Sequence, residues 1–129
     1  MSMVMERRGV DAKTVKRLEV WEIDLGTKNG SVQSGHRPCV VISNNKGNLY
    51  SPVVIVIPLT SSKIKKPMPT HVHVDAESCD IYSDSTVLCE QIMTVPKQSL
   101  QYKLFELPMS YLKKINNAIG ISLDLNIAT

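Results

Sequence analysis

Arg37 stands between His36 and Pro38, where the polar segment SVQSGH gives way to the apolar run PCVVIS. Proline disfavours helical geometry in the residue before it, so Arg37 is held extended at the mouth of a strand. Ser34 and Gly35 just ahead allow close approach of another chain. A guanidinium presented in this way is a planar fork of donors suited to phosphate oxygens. A second chemical group closes a later apolar run: Pro52 to Leu59 is followed by Thr60, Ser61 and Ser62, then by Lys63, Lys65 and Lys66. If the two runs are antiparallel neighbours, the start of one and the end of the other share an edge, and guanidinium, hydroxyl and lysines converge. Such a set can grip a phosphodiester and stabilise charge that develops on it. Each half also has a plainer reading. Arg37 could pair with a carboxylate such as Asp24 or Glu90 and tie down its loop, and the Thr-Ser-Ser stretch could be a turn that satisfies its own backbone.

The elements needed to position these groups are short strands. Residues 17 to 24, RLEVWEID, alternate with Leu18, Val20 and Glu22 toward one side and Trp21 and Ile23 toward the other, which predicts a first strand. Residues 26 to 35 read as a loop. The Val- and Ile-rich runs at 38 to 43 and 52 to 59 read as strands covered on both faces, with Gly47 and Asn48 marking a turn between them, hence a central hairpin. TSSKIKKPMPT, broken by two prolines, is a loop; HVHV at 71 to 74 is a half-exposed strand; residues 86 to 95 form another strand. Pro108 suits a first helical turn, and Leu112, Ile115, Ile119 and Ser122 or Leu123 recur at helical spacing. The expected architecture is a twisted or barrel-like antiparallel sheet with a C-terminal helix. Residues 1 to 16 are expected to be a flexible extension before a single domain at 17 to 129.

With 129 residues the chain has room for one core. It holds no apolar run near the ~20 residues of a membrane span, and its first residues lack the apolar centre of a signal peptide, so a cytoplasmic protein is expected. The net charge of +3 sits within residues 1 to 17, where five cations face Glu6 and Asp11. The remainder is neutral but segregated. From Leu25 to Val74 there are six cations and no acid; from Asp75 to Glu90 there are five acids and no cation. This is either a mixed surface once folded or a basic face for phosphates.

Three cysteines, Cys39, Cys79 and Cys89, without CxxC spacing, read as reduced thiols. His71 and His73 share a strand face, but with no clear third ligand they read as solvent-facing imidazoles, and no metal or other cofactor is expected. Gln33, Ser34, Asn44 and Gln91 are candidates to read base edges by hydrogen bonding, and Lys28, Lys63 and Lys65 to bind phosphates. Of Trp21, Tyr50, Tyr82, Tyr102, Phe105 and Tyr111, which could stack on bases, most are expected in the core.

WEIDLGTKNGSVQSGHRPCVVISNN, SPVVIVIPLTSSKIKKPMPTHV, DSTVLCEQIMTV and the helix ending NNAIGISLDL resemble the MazF/PemK family of toxin endoribonucleases, in register over residues 17 to 125. The resemblance implies an SH3-like antiparallel barrel with a C-terminal helix, akin to CcdB-like plasmid maintenance toxins. It implies a homodimer, metal-independent and sequence-specific cleavage of single-stranded RNA, and an antitoxin whose acidic, apolar tail occupies the RNA groove. The family's essential arginine falls on Arg37, its essential threonine on Thr60, and a frequent small hydroxyl residue on Ser61. Several positions depart from the pattern: Arg17, Leu18 and Glu19 stand where an Arg-Gly-Asp-like turn usually opens the first strand, Val32 replaces a frequent acid, and Met93 and Pro96 stand where a basic and an acidic residue are common.

RNA carries its own nucleophile, the 2′-hydroxyl, so a ribonuclease must align that group, move protons and stabilise a pentacovalent phosphorus. Arg37 is expected to stabilise the charge and Thr60 to hold the phosphate or the 2′-hydroxyl in line. Arginine is too weak an acid to serve readily as base. His36 has a suitable pKa range, but in extended backbone it points away from Arg37. Two other functions share the fold: a noncatalytic toxin that binds DNA gyrase, in which the arginine and threonine pair is absent, and an RNA-binding module without cleavage.

Overall fold

The computed structural model describes residues 14–125. Strand β1 (Glu19–Asp24) lies antiparallel to β2 (His36–Val41), with Val20 opposite Val40, Trp21 opposite Cys39 and Ile23 opposite Arg37. The expected central pair is present: β2 lies antiparallel to β3 (Val53–Thr60), with Cys39 opposite Pro58 and Val41 opposite Val56. The remaining strands are β4 (His71–Val74), β5 (Ser85–Leu88), β6 (Met93–Pro96) and β7 (Leu100–Glu106), with a short helix α2 (Ala76–Cys79) between β4 and β5. They give the order β4-β5-β3-β2-β1-β7, with β6 also on β3. The path is open, with β4 and β7 at its ends.

Where β2 and β3 pair, at Cys39–Val41 and Val56–Pro58, both faces are apolar because both are covered, whereas Val53 and Ile55 at the start of β3 are exposed. One cluster holds Val20, Val40, Ile57, Leu59 and Val87 beneath the C-terminal helix α3 (Ser110–Ser122), which contributes Tyr111, Ile115 and Ala118. The other holds Trp21, Ile23, Cys39, Val41, Val54, Val56 and Leu100. The helix runs where expected, but its inward stripe is rotated: Tyr111 and Ala118 are buried, Leu112 and Ile119 only flank the cluster, and Leu123 is exposed.

Two expectations need correction, and one strand, β7, lies where none is expected. Gly47 and Asn48 do not form a tight turn; they lie inside helix α1 (Asn45–Tyr50). Asn44 caps that helix, its Oδ1 accepting from the Gly47 amide at 2.7 Å, and the buried Asn48 side chain donates to the Ser43 carbonyl at 2.8 Å, so local side-chain bonds outweigh glycine's poor helix propensity. The strand expected at 86 to 95 is two strands, β5 and β6, broken by a turn in which the Gln91 amide donates to the Leu88 carbonyl. Pro58, which has no amide donor, falls with Ile57 between the β3 residues that pair with β6 (Val53–Val56) and those that pair with β5 (Leu59 and Thr60), a place where a proline removes no donor from either pairing. Strand β7, outermost on β1 and largely exposed, carries too little alternation to be legible beforehand.

Of the expected extension, residues 1–13 lie outside the described residues. Val15 is buried in the second cluster, so packing begins ahead of Arg17.

Candidate active site

The loop from residue 26 to 35 leaves β1 and returns to β2 over a narrow neck. The Leu25 amide donates to the Gly35 carbonyl at 2.9 Å and the Gly35 amide to the Gly26 carbonyl at 2.7 Å. Gly26 and Gly35 have φ of 74° and 72°, the left-handed region, so glycine is needed there for backbone reasons although space is open at both positions. Arg37 emerges two residues later. Its side chain is exposed, and its Nε donates to the Ser34 carbonyl at 3.0 Å, which fixes the plane of the fork and leaves both terminal nitrogens free to bind. Arg37 makes no ion pair among the described residues. The two carboxylates that could have claimed it are engaged elsewhere: Asp24 accepts from the Gly26 amide, and Glu90 lies 3.2 Å from His71.

The β2–β3 pairing ends at Cys39–Pro58, and extending its register two residues along each strand brings Arg37 level with Thr60. Strand alternation puts both on one face, that of Cys39, Val41, Val54 and Val56, away from α3. Thr86 on β5 pairs with Thr60 and His73 on β4 pairs with Thr86, while Arg37 pairs with Ile23 on β1; the extended β2–β3 register brings these two paired rows into line. Thr60 is 7% exposed and its Oγ1 accepts from the Ser62 amide at 3.1 Å, as a self-satisfied turn would; the hydroxyl proton is still available to donate. Beside it opens a cleft of about 490 Å³, bordered by Ser61, Lys63, Met68, His73, Asp84 and Thr86. A guanidinium and a hydroxyl on one face, with a lysine-bordered cleft alongside, can hold a phosphodiester and meet charge as it develops.

The other candidates divide by position. Ser61, Lys63 and Lys65 belong to the segment that leaves Thr60, and Ser61 and Lys63 line the cleft. Ser34 contributes its carbonyl to Arg37, and Lys28 is folded back on the loop with Nζ donating to the Leu25 carbonyl at 2.9 Å. Gln33 and Gln91 meet: Gln91 Oε1 accepts from the Gln33 amide at 2.8 Å, while Gln91 Nε2 donates to the Ser31 carbonyl at 3.1 Å. Both ends of the Gln91 amide are therefore engaged with backbone. Asn44 is not at the site. It caps α1 beyond the far end of β2, about 20 Å along the strand from Arg37 at the usual rise per residue. His36 pairs with Asp24 on β1 and, as expected, faces away from Arg37.

Of the two histidines of β4, one differs from expectation. His71 is not solvent-facing: its side chain is 10% exposed, its Nδ1 accepts from the Met68 amide, and its Nε2 faces Glu90. His73 is exposed, 3.6 Å from Asp84, and is the imidazole in the paired row of Thr86 and Thr60; only the β3–β5–β4 pairing, with β5 drawn from a later stretch, could have revealed this. His73, Asp75 and Asp84 bring their ligand atoms within 4.8 Å of one another, all exposed. Half of the aromatics also depart from the core: Tyr50, Tyr82 and Tyr102 are exposed, whereas Trp21, Tyr111 and, in part, Phe105 are packed. Met93 packs against the second cluster, and Pro96 lies opposite Val53 at the end of β3 remote from Thr60.

Cys39 lies directly behind Arg37 on the same face, but burial, then Glu22, push its thiol up to about 12 against the opposing pull of Arg37, so it is protonated and inert near neutrality. Burial and Glu90 do the same to Cys89, also about 12. The three cysteines are unbridged, as expected.

The sequence profile of PemK-like, MazF-like toxins of type II toxin–antitoxin systems matches residues 16–123. The chain is 43% identical over 112 residues to an endoribonuclease MazF of Staphylococcus saprophyticus, covering 87% of this chain and 93% of that protein. It is 42% identical, over the same shares, to one of Staphylococcus epidermidis. Among solved structures, a mycobacterial endoribonuclease in complex with its cognate antitoxin superposes with a TM-score of 0.73 at 27% identity, over 88% of this chain and 99% of that one. A MazF of Deinococcus radiodurans gives 0.73 at 21% identity, over 87% and 98%. No described helix is long and apolar enough to cross a membrane.

Proposed function

The chain belongs to the PemK-like, MazF-like family of type II toxin–antitoxin toxins, and from that premise we propose that it acts as an endoribonuclease in which Arg37 and Thr60 are the catalytic pair on single-stranded RNA. What supports the assignment of residues is the Arg37 fork, free of any ion pair among the described residues, on the sheet face that the β2–β3 register gives to Thr60 as well. The 2′-oxygen attacks the adjacent phosphorus, the bond from phosphorus to the 5′-oxygen breaks, and the products are a 2′,3′-cyclic phosphate and a 5′-hydroxyl. The 2′-hydroxyl loses its proton and the leaving oxygen gains one; no water is added. Arg37 donates to the nonbridging oxygens, whose charge grows toward the transition state, and Thr60 donates from a nearly buried hydroxyl that a strand end and the Ser62 amide hold in place. Both roles are met by fixed hydrogen-bond donors and call for no cofactor.

The cleft beside Thr60, with Lys63 at its border and Lys65 and Lys66 exposed nearby, carries the strand away from the cut. By its kinship with the mycobacterial relative solved with its antitoxin, this chain is inhibited by a cognate antitoxin that covers the same face. It works as a homodimer in the cytoplasm, where messenger RNA is found.

The test is incubation of the purified protein with a long in-vitro transcript in EDTA, followed by end analysis. Fragments with cyclic phosphate and 5′-hydroxyl ends are expected, and an oligonucleotide spanning a mapped site should resist when the 2′-hydroxyl at the cut is replaced by hydrogen. Binding without cleavage, or cutting of the deoxy substrate, overturns the proposal.

A further inference from the structure

Gln91 lies in the turn between β5 and β6, 58 residues from Gln33, yet its amide spans the loop that feeds Arg37. Both ends of that amide are used on main chain: Oε1 takes the Gln33 N–H at 2.8 Å and Nε2 gives to the Ser31 carbonyl at 3.1 Å. One residue further on, the Ser34 carbonyl accepts from Arg37 Nε. A side-chain amide with one donor and one acceptor can pair with a peptide segment as a neighbouring strand would. It does so here on a stretch that has glycines at 26, 30 and 35, all at positive φ, and little packing of its own: Ser31 and Val32 are exposed. The neck at Leu25, Gly26 and Gly35 closes the base of the loop, and the Gln91 amide is the second hold, placed between that neck and the tip.

We propose that Gln91 is a positioning residue for Arg37: by clamping residues 31 to 33 it fixes the Ser34 carbonyl, and through that carbonyl the plane in which the guanidinium meets the phosphate. This rests on the assignment of Arg37 as the charge-stabilising group. A clamp that acts through Arg37 costs turnover, leaves RNA affinity largely intact, and becomes silent once Arg37 can no longer use the Ser34 carbonyl. Lysine at 37 has no Nε–H at that place in the side chain, so Arg37→Lys cuts the connection while keeping the charge.

The experiment is a double-mutant cycle. Single-turnover cleavage of an in-vitro transcript in EDTA is measured for the parent, Gln91→Met, Arg37→Lys and the double variant, alongside RNA binding, melting curves and a map of cut sites. Methionine keeps the length of the side chain and removes both hydrogen bonds. Gln91→Met is expected to slow cleavage about tenfold with binding within twofold, an unchanged cut-site map, and faster hydrogen exchange at the Gln33 amide. In the Arg37→Lys background the same change is expected to alter the rate less than twofold. Normal cleavage by Gln91→Met, an equal tenfold loss in both backgrounds, or a new set of cut sites overturns the clamp, the last by showing that Gln91 reads a base. A normal rate for Arg37→Lys alone overturns the catalytic reading as well, so the two failures are distinguishable.

Discussion

Arg37→Lys separates a catalytic arginine from a structural one because the structure gives the residue almost nothing to hold in place. Its side chain is exposed, has no carboxylate partner among the described residues, and makes one hydrogen bond, Nε to the Ser34 carbonyl. Losing such a bond at an exposed site costs about 1 kcal/mol or less, which for a domain of this size moves the melting temperature by roughly 3–5 °C. Losing one preorganised transition-state donor costs about 2.7–4 kcal/mol, or on the order of 10²- to 10³-fold in rate. The ammonium keeps the positive charge near the phosphate, so RNA affinity should fall only a few-fold. The assay is single-turnover cleavage beside a melting curve. A lysine variant that cuts within about fivefold of the parent refutes the reasoning. So does one whose melting temperature falls by more than about 10 °C, because Arg37 would then be scaffold.

Neutralising Lys63, Lys65 and Lys66 together should flatten the dependence of RNA binding on salt by about 2 in the log–log slope, at ~0.7 per phosphate contact on a single strand; an unchanged slope in a filter-binding titration moves the RNA path away from that loop. The Cys39 thiol, raised from 9.0 to about 12 in the fold, stays protonated in the native chain at pH values where the unfolded chain has lost that proton. Native stability therefore falls as pH rises from about 9 toward 12, by about 1 kcal/mol between pH 8 and 10 from this group. Urea unfolding at those two pH values should show Cys39→Ala declining less than the parent by that amount, and equal declines refute the attribution.

The site was half legible in the sequence, and the physics explains which half. Pro38 after Arg37 and a hydroxyl at the end of the next apolar run are local signals, and an antiparallel hairpin converts them into neighbours. The connecting helix α1 did not matter for that inference, since any short connection leaves the same ends together. The Gln91 clamp and the His73 row depend on β5 reaching β3 across the Pro-broken lysine loop, and no periodicity reports which distant segment docks there. His71 misled for a related reason: alternation places it on a face but says nothing of Glu90, which a different strand brings beneath it. Strand β7, exposed along most of its length, is held by pairing to β1 more than by apolar side chains, and pairing leaves little trace in composition.

The sheet's order also sets when the molecule becomes competent. Arg37 and Thr60 are 23 positions apart, a short closure, whereas β1 waits for β7, with Glu19 opposite Glu106 across 87 positions. On an ideal-chain estimate the longer closure costs about 1.2 kcal/mol more, and its contacts come from the last quarter of the chain. The same stretch brings Tyr111, Ile115 and Ala118, which roof the cluster under β2 and β3. A chain interrupted before residue 100 thus contains both proposed catalytic groups without the strand that pairs with β1 and the helix that covers the first cluster. On the proposed assignment, cleavage is therefore expected only from a chain synthesised through α3.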